Sequence, residues 1–334
     1  MGKRLHYIDI AKGLLILMVV WGHYELICRL CYGISDPTIN KLDSVENLWV
    51  AFFMPAFFFI TGFCTNFSKP FRQFMMAGIK TLLIPAVIIN YGANIIEYVA
   101  WGWGPPAIAK TIVKSFILTC AGEWFIPSLF ISRIIVYGLV KLKTRLIQVL
   151  LAFLMLILGV YLYNSCENIP DIWYFKHALM VVPFMIGGLY MKQIIINGDK
   201  YLKINSLLYA ILITVILLSG TGVPYVTNRV DVELWQIPEL ILLALTGTLM
   251  ILFISDKIKA NKILEYLGRN SLVIYLSHFF FYRLYIYLVL PLFNQSVISS
   301  LCIFFGVIIA NIASCCLISY LLNTRYLKWI LGKF

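Results

Sequence analysis

Charge is scarce in this chain. Only 13% of its 334 residues are charged, and acids are the rarer kind, with 15 Asp and Glu against 27 Lys and Arg. Histidine is rarer still, at four residues. No polar stretch is long enough to form a separate soluble domain, and there is no internal repeat or low-complexity segment. The paired inverted halves of many transporters are not visible either. Against so little charge stand 61% hydrophobic residues. That excess of apolar surface excludes an ordinary soluble domain and points to a polytopic membrane protein.

A net charge of +12 could suggest a nucleic-acid partner. The basic residues lie in short clusters between apolar runs, however, which is the pattern of membrane topology, so no nucleic acid is expected. Eight cysteines supply a single CxxC, Cys28 and Cys31, with no second pair or HxxxH to complete a zinc set. No metal is expected, and Cys315 and Cys316 read as packing. No cleavable signal peptide is expected, because the first apolar run is long and no small-x-small site follows it. Met1-Gly2 lacks the Ser or Thr at position 6 that myristoylation requires; His6 stands there.

Ten apolar runs have spanning length, at approximately 10–31, 48–67, 79–101, 124–141, 146–164, 176–194, 205–222, 236–254, 270–292 and 297–322. A shorter apolar stretch near 110–120 suits a re-entrant or surface helix. Ten spans put both termini on one side. Most of the Lys and Arg fall there, among them Lys3, Arg4, Lys12, Lys69, Arg72, Lys80, Lys259 and Arg269. The other side holds Arg29, Lys41, Lys110, Lys114, Lys176 and Arg229, and Arg133 and Arg283 fall within spans. The expected fold is therefore all-α: a single transmembrane domain over 1–334, about ten helices, both termini cytoplasmic.

Residues 7–23, YIDIAKGLLILMVVWGH, carry Lys12 near the start and His23 at the end of an apolar run. Eleven helical steps of about 100° return to within roughly 20° of the starting direction and cover about 16 Å. The two side chains thus share a face, with Lys12 at the membrane edge and His23 about halfway through a ~30 Å core. A buried neutral imidazole can take a proton from an attacking hydroxyl, or it can simply hydrogen-bond between helices. Asp9 can pair with Lys12 three residues on, as a ligand or as a topology anchor. Lys12 at a cytoplasmic mouth suits a phosphate-bearing donor. Glu25 points away from His23 and is expected to meet another helix or the outer interface.

Three further stretches stand out. FFMPAFFFITGF, 52–63, holds Pro55, expected to kink the second span, and Gly62, which allows close approach. GEWFIPSL, 122–129, places Glu123 beside Trp124 at the outer end of the fourth span, where it could orient a histidine or anchor the interface. GRNSLVIYLSH, 268–278, offers Asn270 or Ser271 as a cap and sets His278 about two turns into the ninth span. Buried His278 and Arg283 need acidic partners or a watery tunnel.

In order along the chain, these stretches resemble the acyltransferase-3 family. YIDIAKGLLILMVVWGH is similar to its opening mark of Arg or Lys, ten residues, then His. FFMPAFFFITGF resembles its second-span motif, with Thr61 where a Ser often stands. KTLLIP at 80–85, EWFIPSLF and GRNSLVIYLSH look like its later segments. The resemblance, most similar to the fucose 4-O-acetylase branch, implies acyl transfer, usually of acetyl from acetyl-CoA, to a hydroxyl of a carbohydrate or lipid-linked glycan. It implies a multi-pass protein of a bacterial inner membrane with no bound cofactor. Transfer is expected within the bundle. His23 and Glu123 then read as catalytic, and Lys12, Asp9, Arg72, Lys80 and His278 as donor- or substrate-binding. A glycan or lipid transporter, or a structural partner in envelope assembly, are the rival classes.

Overall fold

The computed structural model describes residues 5–34, 36–120, 122–166, 168–197, 199–220, 222–227, 229–258, 260–292 and 296–333. Met1-Gly2, Lys3, Arg4 and Lys259 lie outside them.

The first helix, α1 (His6–Tyr32), is unbroken because no proline interrupts it. It stops at Gly33, whose φ of 64° is left-handed. The Gly33 and Ile34 amides donate back to the carbonyls of Arg29 and Cys28, closing the last turn. Asp36 then caps α2 (Pro37–Asp43): its Oδ1 accepts from the amides of Thr38 and Ile39 at 2.7 and 3.2 Å, with proline in the first turn. A 3₁₀ turn, Ser44–Leu48, leads to α3 (Phe53–Cys64).

Pro55 does not kink this span. It sits in the first turn of α3, where a missing N–H leaves no helical bond unmade, so it starts the helix. Gly62 does provide the expected close approach. An added Cβ would lie 1.9 Å from the Met185 carbonyl oxygen on the ninth helix.

Next come α4 (Phe71–Gly78), a π-helical turn at Ile79–Leu83, and α5 (Ile84–Ala100). The short α6 (Pro105–Thr119) exposes Val113, Phe116 and Ile117, and it occupies the extra apolar stretch. Then follow α7 (Phe125–Leu139), α8 (Arg145–Ser165), α9 (Phe175–Asn197) and α10 (Asp199–Ser219). A two-residue hairpin, β1 (Tyr225–Val226) and β2 (Val230–Asp231), pairs antiparallel with Tyr225 opposite Asp231. The chain closes with α11 (Ile237–Lys257), α12 (Lys262–Arg269), α13 (Ser271–Val289) and α14 (Val297–Leu322).

Among the described residues, 8 helical segments are long and apolar enough to cross a membrane, and Phe125–Leu139 and Lys203–Ser219 are shorter apolar helices. Together they occupy the ten expected positions, and the chain is a helical, multi-pass membrane bundle.

The described ends of the chain meet at one end of this bundle. Gly268 of α12 packs on α1 so closely that an added Cβ would stand 1.8 Å from the Asp9 carbonyl oxygen. Asn270 and Asn323, at the start of α13 and the end of α14, are joined by a 3.2 Å hydrogen bond. Asn270 takes the cap position of α13, but its amide turns to the Tyr266 carbonyl instead of capping. The C-terminal turn, Lys328–Leu331, docks on the π-helical turn, with Gly332 against the Lys80 carbonyl. This is the terminal end of the bundle. The far end holds the last turn of α1, α2 and the hairpin.

Candidate functional site

At the far end a cavity of about 470 Å³ opens between α1, the 44–50 segment, α3 and the hairpin. His23 lies on its wall. Glu25, Arg29, Glu46 and Arg229 bring two carboxylates and two guanidiniums to the same space. Asn40, Asn47, Ser44 and Thr227 add neutral polar groups, while Trp124, Tyr225 and Tyr275 supply aromatic faces. Glu25 Oε1 pairs with Arg29 Nε at 3.4 Å, one turn along α1. It makes no bond to His23, as expected from their two-residue spacing, yet it shares the cavity because the cavity wraps the end of the helix.

The ring geometry of His23 fixes its tautomer. Its Nδ1 lies 2.7 Å from the Val19 carbonyl oxygen. A carbonyl can only accept, so Nδ1 carries the proton and Nε2 keeps the lone pair. His278, fully buried on α13, is set the same way: its Nδ1 lies 2.7 Å from the Tyr275 carbonyl oxygen. Its Nε2 lone pair then faces His23 Nδ1 at 3.3 Å. The His23 N–H is shared between a carbonyl and an imidazole, and its Nε2 has no hydrogen-bond partner among the described residues. Asn311 of α14 donates to the His278 carbonyl at 2.8 Å and holds that turn of α13. Phe279 stands edge-on to His23 with ring centroids 4.6 Å apart.

This pairing is the main site feature that the sequence did not reveal. The resemblance implies a donor- or substrate-binding role for His278; the structure places it against His23. Both lie about midway along facing helices, which is the signal a comparison of depths could have used.

Glu123 is not on the cavity wall, although its neighbour Trp124 is. Burial pushes its carboxyl up to about 7, opposed by the nearby Arg283 guanidinium. Arg283 is itself bonded to Glu97 of α5, Nε to Oε1 at 2.7 Å, so this half-buried cation has an acidic partner. Against Trp124 lies a further histidine, His177, which no motif in the sequence singles out. His177 Nδ1 donates to Asp171 at 2.5 Å, among the rings of Trp124, Tyr163 and Tyr174.

The remaining candidates stand at the terminal end. Lys12 is half-buried, eleven residues before His23 on the same unbroken helix, and makes no ion pair among the described residues. Asp9 pairs with Arg269 at 3.4 Å rather than with Lys12, because Gly268 brings α12 onto its turn of α1. Arg269 also holds Glu265, and His6 reaches Glu265 at 3.2 Å. Asp9 thus belongs to an α1–α12 latch. Arg72 is exposed on α4 and Lys80 half-buried on the π-helical turn. Cys28 is buried and Cys31 exposed, so the CxxC cysteines face apart. Among the described residues no cluster of His, Cys, Asp and Glu could hold a metal.

A family profile described as an acyltransferase domain matches residues 5–320. No curated protein and no solved structure matches the chain. The profile spans both the cavity and the terminal end, and it lends the carrier reading no support.

Proposed function

The chain belongs to the acyltransferase-3 family and is a membrane acyltransferase, and from that premise we propose that it moves acetyl from cytoplasmic acetyl-CoA to a hydroxyl of a carbohydrate or lipid-linked glycan. The proposed setting is a bacterial inner membrane, and the proposed branch is the fucose 4-O-acetylase-like one. The observation that carries the reading is the free Nε2 of His23 on the wall of a polar cavity, with its Nδ1–H held by Val19 and His278.

In this reading His23 Nε2 takes the proton of the acceptor hydroxyl as its oxygen attacks the thioester carbonyl. A C–O bond forms, the C–S bond breaks, and the proton passes to the departing thiolate. The charge on the imidazole during attack is offset at its other nitrogen, where the Val19 oxygen and the His278 lone pair both accept. Such base assistance contributes ~10²–10⁴ in rate. The cavity balances two carboxylates with two guanidiniums and offers aromatic faces, a lining that suits a neutral, hydroxyl-rich acceptor. The terminal end, with Lys12, Arg72 and Lys80, suits a phosphate-bearing donor. Glu123 supports the acceptor side through Trp124, which it adjoins.

Mass spectrometry of surface glycans from cells with and without the gene tests this reading. One acetyl group per repeat unit is expected to disappear with the gene. Identical glycans in both cells would overturn it.

A further inference from the structure

Arg133 lies in the middle of α7, an apolar membrane helix, and nothing in the proposed reaction has used it. Its guanidinium turns toward α4. Its Cζ sits 4.9 Å from the centroid of the Phe74 ring, and an added Cβ on Gly78 would lie 3.2 Å from Nη1. Its Nε is buried with no hydrogen-bond partner. No carboxylate pairs with it among the described residues.

The sequence explains why. Between Glu46 and Glu97, and again between Glu123 and Glu167, there is no Asp or Glu. The elements whose residues meet Arg133, α4 together with α7 and the π-helical turn beside them, are therefore free of acids, and α9, which packs on α7, carries none either. A cation inside the hydrocarbon layer is costly and persists where it has an anion or water to meet. The ring of Phe74 offsets part of that cost, but a ring face leaves the planar N–H fork unfilled.

The position of Arg133 says which end of the molecule it serves. One turn further along α7, the Tyr137 hydroxyl donates to the Lys69 carbonyl at 2.9 Å, and the Tyr137 ring lies tilted against Phe74 with centroids 4.7 Å apart. The Lys141 ammonium lies over the Tyr137 ring, 4.7 Å from its centroid. Arg133 is thus the innermost member of a basic strip running through Lys69, Arg72, Lys80 and Lys141 at the terminal end.

We propose that Arg133 is a donor-binding residue: it takes a phosphate of the acyl-CoA by its guanidinium fork, deeper in the membrane than Arg72 and Lys80. This rests on the acetyl-CoA reading above. The shared chemistry is a phosphate oxygen, which a lipid headgroup could also offer.

The test measures CoA and adenosine 3′,5′-bisphosphate binding to the purified protein in neutral-lipid nanodiscs. Arg133→Gln is expected to raise both Kd values about tenfold or more, equivalent to about 1.4 kcal/mol. Arg133→Lys keeps a charge and should recover most of the loss. Phe74→Leu removes the stacked ring but keeps the fork, so it should leave both Kd values nearly unchanged. Equal CoA affinity in Arg133→Gln and the parent protein would overturn the proposal; the same variant would then be melted with and without anionic lipid to expose a headgroup site. A loss in Phe74→Leu as large as in Arg133→Gln would also overturn it, in favour of packing. If the parent protein binds no CoA, the donor reading itself fails.

Discussion

The two ends of the bundle handle charge in opposite ways. At the far end, Glu25 answers Arg29, and Glu46 shares the cavity with Arg229, so the space is balanced. At the terminal end the acids are taken up in the α1–α12 latch of Asp9 and Glu265 with Arg269, while among the described residues Arg72 and Arg133 pair with no carboxylate. A balanced, aromatic-lined cavity favours a neutral polyol; an excess of fixed cations favours phosphate. In the proposed reaction, two chemically different ligands approach His23 from opposite sides. Between the ends stand His23 and His278, neither carrying a counter-charge.

The largest expected effect comes from removing the centre and leaving both ends. His23→Ala should lower acetyl transfer by ~10²–10⁴ while CoA binding to the purified protein stays within twofold, roughly, of the parent value. Inserting one alanine between Leu17 and Met18 keeps every residue but turns the far half of α1 by about 100°. Transfer should collapse there too, although size-exclusion in detergent should still find a folded monodisperse protein. His278→Gln tests the pairing itself. Losing an acceptor opposite a developing imidazolium costs about 1.5–3 kcal/mol, so the rate should fall about tenfold or more, and the pH–rate profile should shift.

Much of this division could be read in the residues. Ten apolar runs and their Lys and Arg bias gave the helical bundle, and the eleven-residue spacing put Lys12 and His23 on one helix. What could not be read depended on contacts between distant segments. Histidines 255 residues apart meet only when α1 and α13 pack. Asp9 chose Arg269 over Lys12 because a glycine on α12 admits the closer backbone. Pro55 looked like a kink because its local sequence does not show that the preceding segment turns before α3 begins. Arg133 is visible in the sequence as a charge within a span, but only the packing of α7 on α4 shows that no carboxylate among the described residues meets it.

Smaller effects sharpen the contrast. Arg269→Ala leaves Asp9 and Glu265, each with a side chain only 8% exposed, without their guanidinium. A lower melting temperature is expected, with CoA affinity unchanged if the latch is structural. A matching loss of CoA affinity would return Asp9 to the donor site. Glu123→Gln should differ least from the parent at acid pH, where the Glu123 carboxyl is protonated and as neutral as the amide. Because burial raises the Glu123 carboxyl from 4.5 to about 7, the folded protein holds that proton more tightly than the unfolded chain. Stability should therefore fall as pH rises from about 4.5 toward 7 and level off above. The Gln variant should lack that decline, as melting curves across the same range would reveal. Its transfer activity should fall and lose its dependence on pH near 7 if Glu123 serves the acceptor side.

The most direct test uses inside-out membrane vesicles from cells making the parent protein or His23→Ala, supplied with acetyl-CoA labelled in its acetyl group. The account predicts labelled acetyl on a glycan in the parent vesicles and none above background in the His23→Ala vesicles, with both proteins present in equal amount. Labelled glycan at the parent rate in the His23→Ala vesicles would contradict it.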